Sequence, residues 1–383
     1  MTRRDLARLS AAGALLASRR SRAAAPARYT SALDGLESKV DLATFDPIAY
    51  TLKLHDAAPM RMAFRATTRK QAEAWQKQLR PKIVELMGGF PDKPSPLQPQ
   101  TLEVRDFPNY RREKFVFQSR PGLGVLGYLL TPTAGKAPFA PVICIPGHGR
   151  GVDDLVGIDP SGQDRTVKVA YQYDYAVQVA EHGMAAVAIE PMSFGCRRDP
   201  AAIARNLDAS VCQPTAGSAL LLGQTMIGWR VYDIMRTIDW IETRKELDAK
   251  RVGCMGCSGG GMATLFGAAV EPRIQASLVS CYLNTFRACV MSISHCIDNY
   301  IPGLLNWAEM HDVAGLIAPR PVCFESGEGD NIFPVAASRA SFARVKKMYE
   351  VFGVPERTDQ EVFAGPHGFS GKVGLPFLSK HLA

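Results

Sequence analysis

A chain of 383 residues, 46% hydrophobic and 21% charged, can bury one large core with an appendage. Its formal charge of +8 is concentrated at one end, because residues 1–28 hold seven arginines and one acid, leaving 38 bases against 36 acids elsewhere. A broad basic surface for nucleic acid is therefore excluded, and no apolar stretch reaches the roughly 20 residues that cross a bilayer.

In chain order, Arg3, Arg4 and Arg8 precede a modest apolar run and the small residues Ala23, Ala24, Ala25 and Ala27. This resembles a twin-arginine export signal and predicts a signal segment over 1–28, with the protein periplasmic or secreted and no other membrane anchor; the alternative is a basic tail on a cytoplasmic protein. Residues 29–100 read as a helical extension. Its clearest element is the amphipathic stretch 69–87, which stops at Gly88-Gly89 and runs into a linker punctuated by Gly and Pro. The remaining residues, 101–383, form the predicted main domain.

Residues 114–118 and 124–130 read as an antiparallel hairpin joined by Arg120-Pro121-Gly122. The run 140–145 is apolar almost throughout, as in a strand buried on both faces, and opens into Pro146-Gly147-His148-Gly149. That loop exposes backbone N–H groups, and His148 is expected to act through its N–H rather than its ring. A helix at 171–182, a strand at 184–189 and a long helix at 217–243 alternate as crossovers of a mostly parallel sheet require. Glu190, at a strand end, is expected to order a loop. Three long connections, 150–167, 192–215 and 282–310, are expected to shape a cleft, with Phe194, Tyr282, Tyr300 and Trp307 as candidate aromatic walls.

Residues 251–261 run from an apolar strand through Gly256-Cys257-Ser258-Gly259-Gly260 into a helix-like stretch at 262–269. This is the pattern of a nucleophile elbow: a serine on a sharp strand-to-helix turn, with glycines two residues to either side because a Cβ there would strike neighbouring backbone. The helix N-terminus behind it favours developing negative charge. Residues 318–327 read as a late buried strand whose following loop carries Asp330, and 360–363 as a last strand followed by His367 between Gly365 and Gly368. Strand C-termini share one edge of a parallel sheet, so Ser258, Asp330 and His367 are predicted to meet there as nucleophile, acid and base. Asp298, Glu309 and Asp312 are alternative acids. The N–H groups of Gly259 and His148 are the predicted oxyanion donors.

Of nine cysteines, Cys144, Cys254, Cys257 and Cys323 fall in or beside predicted core strands, while Cys196, Cys212, Cys289 and Cys296 are disulfide candidates in an oxidising compartment. No His-x-x-x-His or tight Cys/His cluster occurs, so neither a metal nor an organic cofactor is expected.

Together, Pro146-Gly147-His148-Gly149, residues 190–195, Gly256-Cys257-Ser258-Gly259-Gly260, residues 317–321, residues 329–334 and Gly365-Pro366-His367 resemble the α/β-hydrolase superfamily. Within it, dienelactone-hydrolase-like and acetyl-xylan-esterase-like proteins are most similar. The resemblance covers about residues 100–383. It implies the α/β-hydrolase fold, the Ser258–Asp330–His367 triad, and Gly259 and His148 as oxyanion donors. A cysteine nucleophile, as in true dienelactone hydrolases, is out of frame: Cys257 would need glycine at Met255, and Cys254 at Val252. The resemblance therefore implies a serine carboxylic-ester hydrolase acting on short-acyl, small-molecule or carbohydrate esters, with the oligomeric state open. The alternatives are a serine peptidase, whose usual propeller domain the roughly 70 residues before the core cannot form, and a binding protein that keeps the fold without chemistry.

Overall fold

The computed structural model describes residues 31–205 and 211–383. The predicted signal segment lies outside them. Described residues up to Tyr50 form one compact unit and Thr51–Ala383 a second. The first contains short 3-10 turns at Ser31–Leu33, Glu37–Lys39 and Leu42–Phe45, followed by the start of α1 (Pro47–Asp56).

The second unit is built on nine strands in the order β1-β2-β3-β5-β4-β6-β7-β8-β9. These are β1 (Gln100–Asp106), β2 (Tyr110–Arg120), β3 (Leu123–Pro132), β4 (Pro141–Ile145), β5 (Ala185–Ile189), β6 (Val252–Cys257), β7 (Ile274–Ser280), β8 (Val322–Gly327) and β9 (Thr358–Phe363). β1, β2 and β3 pair antiparallel, β3 joins β5 antiparallel, and β5 through β9 run parallel. The chain passes from β4 outward to β5 and then returns across β4 to β6. The strand order thus reverses at β4, which opens a crevice at the strand C-termini.

Side chains of the central strands alternate between two cores with the two-residue period of a strand. Ile143, Ile145, Val187, Val252, Cys254 and Phe324 face one core, and Val142, Cys144, Ala186, Met255, Cys257 and Cys323 the other. The four cysteines predicted to sit in core strands act there as small apolar residues. The first core is covered by α2 (Arg69–Leu86), α6 (Met226–Ile241), α7 (Gly259–Val270), α8 (Met310–Gly315) and α9 (Val335–Phe352); the second by α3 (Tyr175–Glu181) and α10 (Gly374–Leu382).

α2 begins where the sequence predicts, with Thr68 and Gln71 forming a reciprocal capping box. It is tied to the layer beneath by side chains on its buried face: Gln76 donates to the carbonyls of Gly315 and Ala318, and Arg80 to those of Ala269 and Leu316.

The helix predicted over 217–243 is two helices, α5 (Gln213–Leu221) and α6. Gly223 takes a left-handed φ of 70°, and the Thr225 hydroxyl accepts the Gly228 N–H at 3.0 Å to cap α6 afresh. Apolar periodicity continued across the break, which is why the pattern concealed it. β1 is also new: an exposed edge strand whose residues bury nothing and so show no core-facing signature.

Candidate active site

Each predicted site residue lies just past the C-terminal end of a parallel strand: His148 after β4, Ser258 after β6, Asp330 after β8 and His367 after β9. A cleft of about 440 Å³ opens over this edge, lined by His148, Tyr171, Ser258, residues 293–296, Ile332 and His367.

Ser258 has φ 58° and ψ −120°, a conformation that side chains other than hydrogen rarely adopt. Ser258 N–H donates to the Ser280 carbonyl at 3.0 Å, and the Ser258 carbonyl accepts the Met262 N–H at 2.9 Å, so sheet and helix clamp the turn from both sides. Close packing accounts for its glycines. A Cβ on Gly260 would collide with the Ile145 carbonyl oxygen, and one on Gly256 with the backbone of Gly260. Gly260→Ala is accordingly expected to cost more than the roughly 1–3 kcal/mol of ordinary overpacking, because the obstacle is backbone that cannot rotate away. Chemical denaturation read by circular dichroism checks this; wild-type stability in the variant would contradict it.

His367 is sandwiched between Phe333, with centroids 5.7 Å apart, and Tyr171 at 5.6 Å. Its Nδ1 lies 2.7 Å from Asp330 Oδ2. The other Asp330 oxygen accepts the N–H groups of Ile332 at 2.8 Å and Phe333 at 2.9 Å. Burial alone would raise the Asp330 carboxyl, but the His367 contact and these two N–H groups hold it below its ordinary 3.8. Burial likewise pulls His367 down, but the Asp330 bond and the neighbouring Cys281 thiol outweigh it and lift the imidazole to about 9. Ser258 and His367 face the same cleft without a hydrogen bond between their side chains, an open geometry that catalytic pairs commonly show before substrate binds.

The backbone N–H groups of His148 and Gly259 have no acceptor among the described residues. The His148 loop is held against the elbow by Gln172, which accepts the Gly147 N–H at 2.8 Å, and by Tyr171, whose hydroxyl donates to the His148 carbonyl at 2.5 Å.

Several candidates sit elsewhere. Asp298 pairs with His148 rather than His367, its Oδ2 lying 3.1 Å from His148 Nε2. Glu309 and Asp312 cap α8, and Asp312 also accepts the Phe64 N–H. Glu190 accepts the Val152 N–H at 3.1 Å from within the core, where burial pushes its carboxyl up to about 8. None of the four expected aromatic walls lines the cleft: Tyr282 is enclosed in the core, Phe194 lies under the His148 ring, Trp307 packs beneath Arg61 and Lys82, and Tyr300 projects outward. Of the three long connections, 282–310 is the one that contributes wall among the described residues, through residues 293–296. The aromatic contact comes instead from Tyr171, which the sequence places at the start of a helix over 171–182 and which the structure places in the turns before α3.

Proximity in space also joins residues that spacing kept apart. His148, Cys212, Cys296 and Asp298 converge with potential ligand atoms within 4.8 Å of one another. Arg230 enters the same cluster, 2.6 Å from Asp298 and 3.4 Å from the Cys212 sulfur, and its fixed positive charge opposes a divalent cation there. Cys281, just past β7, donates to the Gly368 carbonyl at 3.1 Å beside His367. All nine cysteines are free thiols.

A family model described as the Abhydrolase family matches residues 44–365. A Bacillus subtilis (strain 168) protein provisionally named a hydrolase, YtaP, is 24% identical over 267 residues, spanning 67% of this chain and 81% of its own. Among solved structures, a Bacteroides fragilis NCTC 9343 protein provisionally described as an acetyl xylan esterase aligns with a TM-score of 0.72 at 22% identity, over 83% of this chain and 82% of that one. A glucuronoyl esterase from Solibacter usitatus aligns with a TM-score of 0.61 at 17% identity, over 85% and 97%. At these identities the structural likeness speaks to the fold alone.

Proposed function

Because the chain belongs to the Abhydrolase family, and its sheet is that of an α/β-hydrolase, we propose that it is a serine carboxylic-ester hydrolase with Ser258 as nucleophile, His367 as base and Asp330 as the acid that orients it. The observation that carries this reading is the left-handed Ser258 turn opening into the same cleft as a histidine anchored through Nδ1 by a buried carboxylate.

With Nδ1 committed to Asp330, Nε2 of neutral His367 is the atom available to take the Ser258 proton as the serine oxygen attacks an ester carbonyl. The carbonyl oxygen, now negative, moves toward the N–H groups of Gly259, at the start of α7, and of His148, in the loop after β4. Collapse expels the alcohol, which takes the proton from His367. Water then enters, loses its proton to the same nitrogen and releases the acid.

We take the acyl part to be acetyl or similarly short, set against Ile293, Ile332 and Tyr171. The names of the structural relatives, acetyl xylan esterase and glucuronoyl esterase, favour a carbohydrate as the other part of the ester. The predicted export signal would place such an enzyme where polysaccharide fragments occur. A panel of p-nitrophenyl acetate, butyrate and decanoate, acetylated xylan and aminoacyl arylamides tests the reading. Acetate is expected to give the highest kcat/KM of the aryl esters. Equal or faster decanoate hydrolysis would refute the short-acyl assignment, and preferential arylamide cleavage would favour the peptidase alternative.

A further inference from the structure

Resting on the serine-esterase reading, we infer that the His148 side chain is itself a catalytic residue: its imidazolium, anchored at Nε2 by Asp298, offers Nδ1–H to the oxyanion beside the backbone N–H of Gly259. A second His–Asp pair thereby borders the cleft that holds Ser258 and His367, with the complementary task of donating a proton-bearing edge rather than accepting a proton.

The geometry begins with Asp298, whose side chain is wholly buried. Its Oδ2 meets Arg230 Nη1 at 2.6 Å, His148 Nε2 at 3.1 Å and the Cys212 sulfur at 3.4 Å, while Oδ1 accepts from Asn299 at 2.7 Å. Arg230 is fixed in turn by the Met192 carbonyl and by the Phe194 ring 4.4 Å beneath its guanidinium. Phe194 also supports the His148 ring, with centroids 4.9 Å apart. The imidazole is therefore locked in orientation, with Nε2 turned inward. Nδ1 has no hydrogen-bond partner among the described residues, and the ring, 30% exposed, forms part of the cleft.

Nδ1 lies over the elbow. A Cβ built on Gly259 would stand 3.0 Å from it, so a side chain at Gly259 would press directly on the ring. A fixed donor aimed where negative charge develops stabilises the transition state more than the ground state, and a charged donor does so more strongly than a neutral one.

The groups facing His148 are Asp298 with Arg230 behind it, Cys212 with Cys296 adjoining, His295 and His367 on the cleft wall, and Tyr171 at its carbonyl. Burial draws His148 down, but the Asp298 bond and the Cys212 contact outweigh this and lift it to about 9. Burial keeps His295 below 6.5, so it adds no charge at alkaline pH. The sign follows from the roles. Activity rises with pH as His367 loses its proton and falls as His148 loses its own, so the profile is a bell on the alkaline side of neutrality.

His148→Gln replaces the imidazolium with a neutral polar side chain and leaves the Arg230–Asp298 pair in place. With p-nitrophenyl acetate, kcat is expected to fall about 10²-fold with KM changed less than threefold. The alkaline falling limb should disappear while the rising limb remains. Inhibition by trifluoroacetophenone should weaken by a factor similar to the loss in kcat/KM, because the Ser258 oxygen adds to its ketone carbon and the displaced π electrons become a hemiketal oxyanion. Asp298→Asn should move the falling limb to lower pH without abolishing it. The inference is overturned if His148→Gln, folded by circular dichroism, retains kcat within threefold. It is equally overturned if the variant only raises KM and lowers the melting temperature while keeping the falling limb, the result expected of a packing residue. Ser258→Ala, assayed in parallel, separates the two levels: wild-type turnover there would refute the serine-esterase reading itself, whatever His148 does.

Discussion

Ser258→Ala is expected to eliminate fluorophosphonate labelling and to lower kcat for p-nitrophenyl acetate by on the order of 10⁶-fold, the scale seen when a triad nucleophile is removed. The residue stands at φ 58° because β6 ends and α7 begins around it; among the described residues the other hydroxyls lining the cleft are those of Tyr171, which donates to the His148 carbonyl, and Ser294 on the 282–310 connection. Ser294 lies in a turn, without the strand-to-helix elbow and the helix N-terminus that follow Ser258. The substitution removes one oxygen and leaves the clamp of backbone bonds to Ser280 and Met262 intact, so folding should be preserved. Loss of labelling with an unchanged melting temperature is the expected pair of results. Persistent Ser258-independent labelling would assign the chemistry to another nucleophile, and a folded wild-type protein that neither labels nor turns over any ester would favour the binding-protein alternative.

Asp330→Asn carries the next largest expected effect, a fall in kcat of about 10⁴-fold with little change in KM. The asparagine oxygen can keep the backbone N–H groups of Ile332 and Phe333, so the loop after β8 should hold its shape. The amide nitrogen would then face His367 Nδ1. A donor in that place forces the imidazole proton onto Nε2, and a protonated Nε2 cannot receive the serine proton. The pH profile supplies a second readout. Burial pulls His367 down and Asp330 is the first of the groups lifting it, so without the carboxylate the residual activity should begin its rise at lower pH than in the wild type. A rise that stays in place, or a variant of near-normal kcat, would mean that Asp330 serves the loop and not the imidazole.

Much of this arrangement could be read along the chain because it depends on local geometry. The elbow demands glycine at 256 and 260 for reasons that act within a few residues, and those glycines announce it. Buried parallel strands are apolar on both faces, so 140–145, 184–189 and 318–327 stand out as runs. The positions of Asp330 and His367 follow from strand ends and from the rule that strand C-termini share an edge. The break at Gly223–Thr225 was hidden because apolar periodicity spans it, and β1 because an exposed edge strand buries nothing.

The second His–Asp pair was not legible at all. His148 and Asp298 are separated by α3, β5, α4 (Pro200–Arg205), α5, α6, β6, α7 and β7, and nothing in the spacing of either residue points to the other; they meet because β4 and β6 are neighbours and the 282–310 connection folds back over their ends. The same holds for Cys212 beside Arg230, and for Tyr171, which reaches both the His148 carbonyl and the His367 ring. Sequence alone determined the fold class, the serine turn and the order of the three predicted catalytic residues, since each is imposed by sterics or burial within a short segment. Only the tertiary structure decided which acid meets which histidine and which side chains wall the cleft. Those choices rest on long-range packing, where a charge buried at one loop is stabilised only by the partner that another loop brings to it.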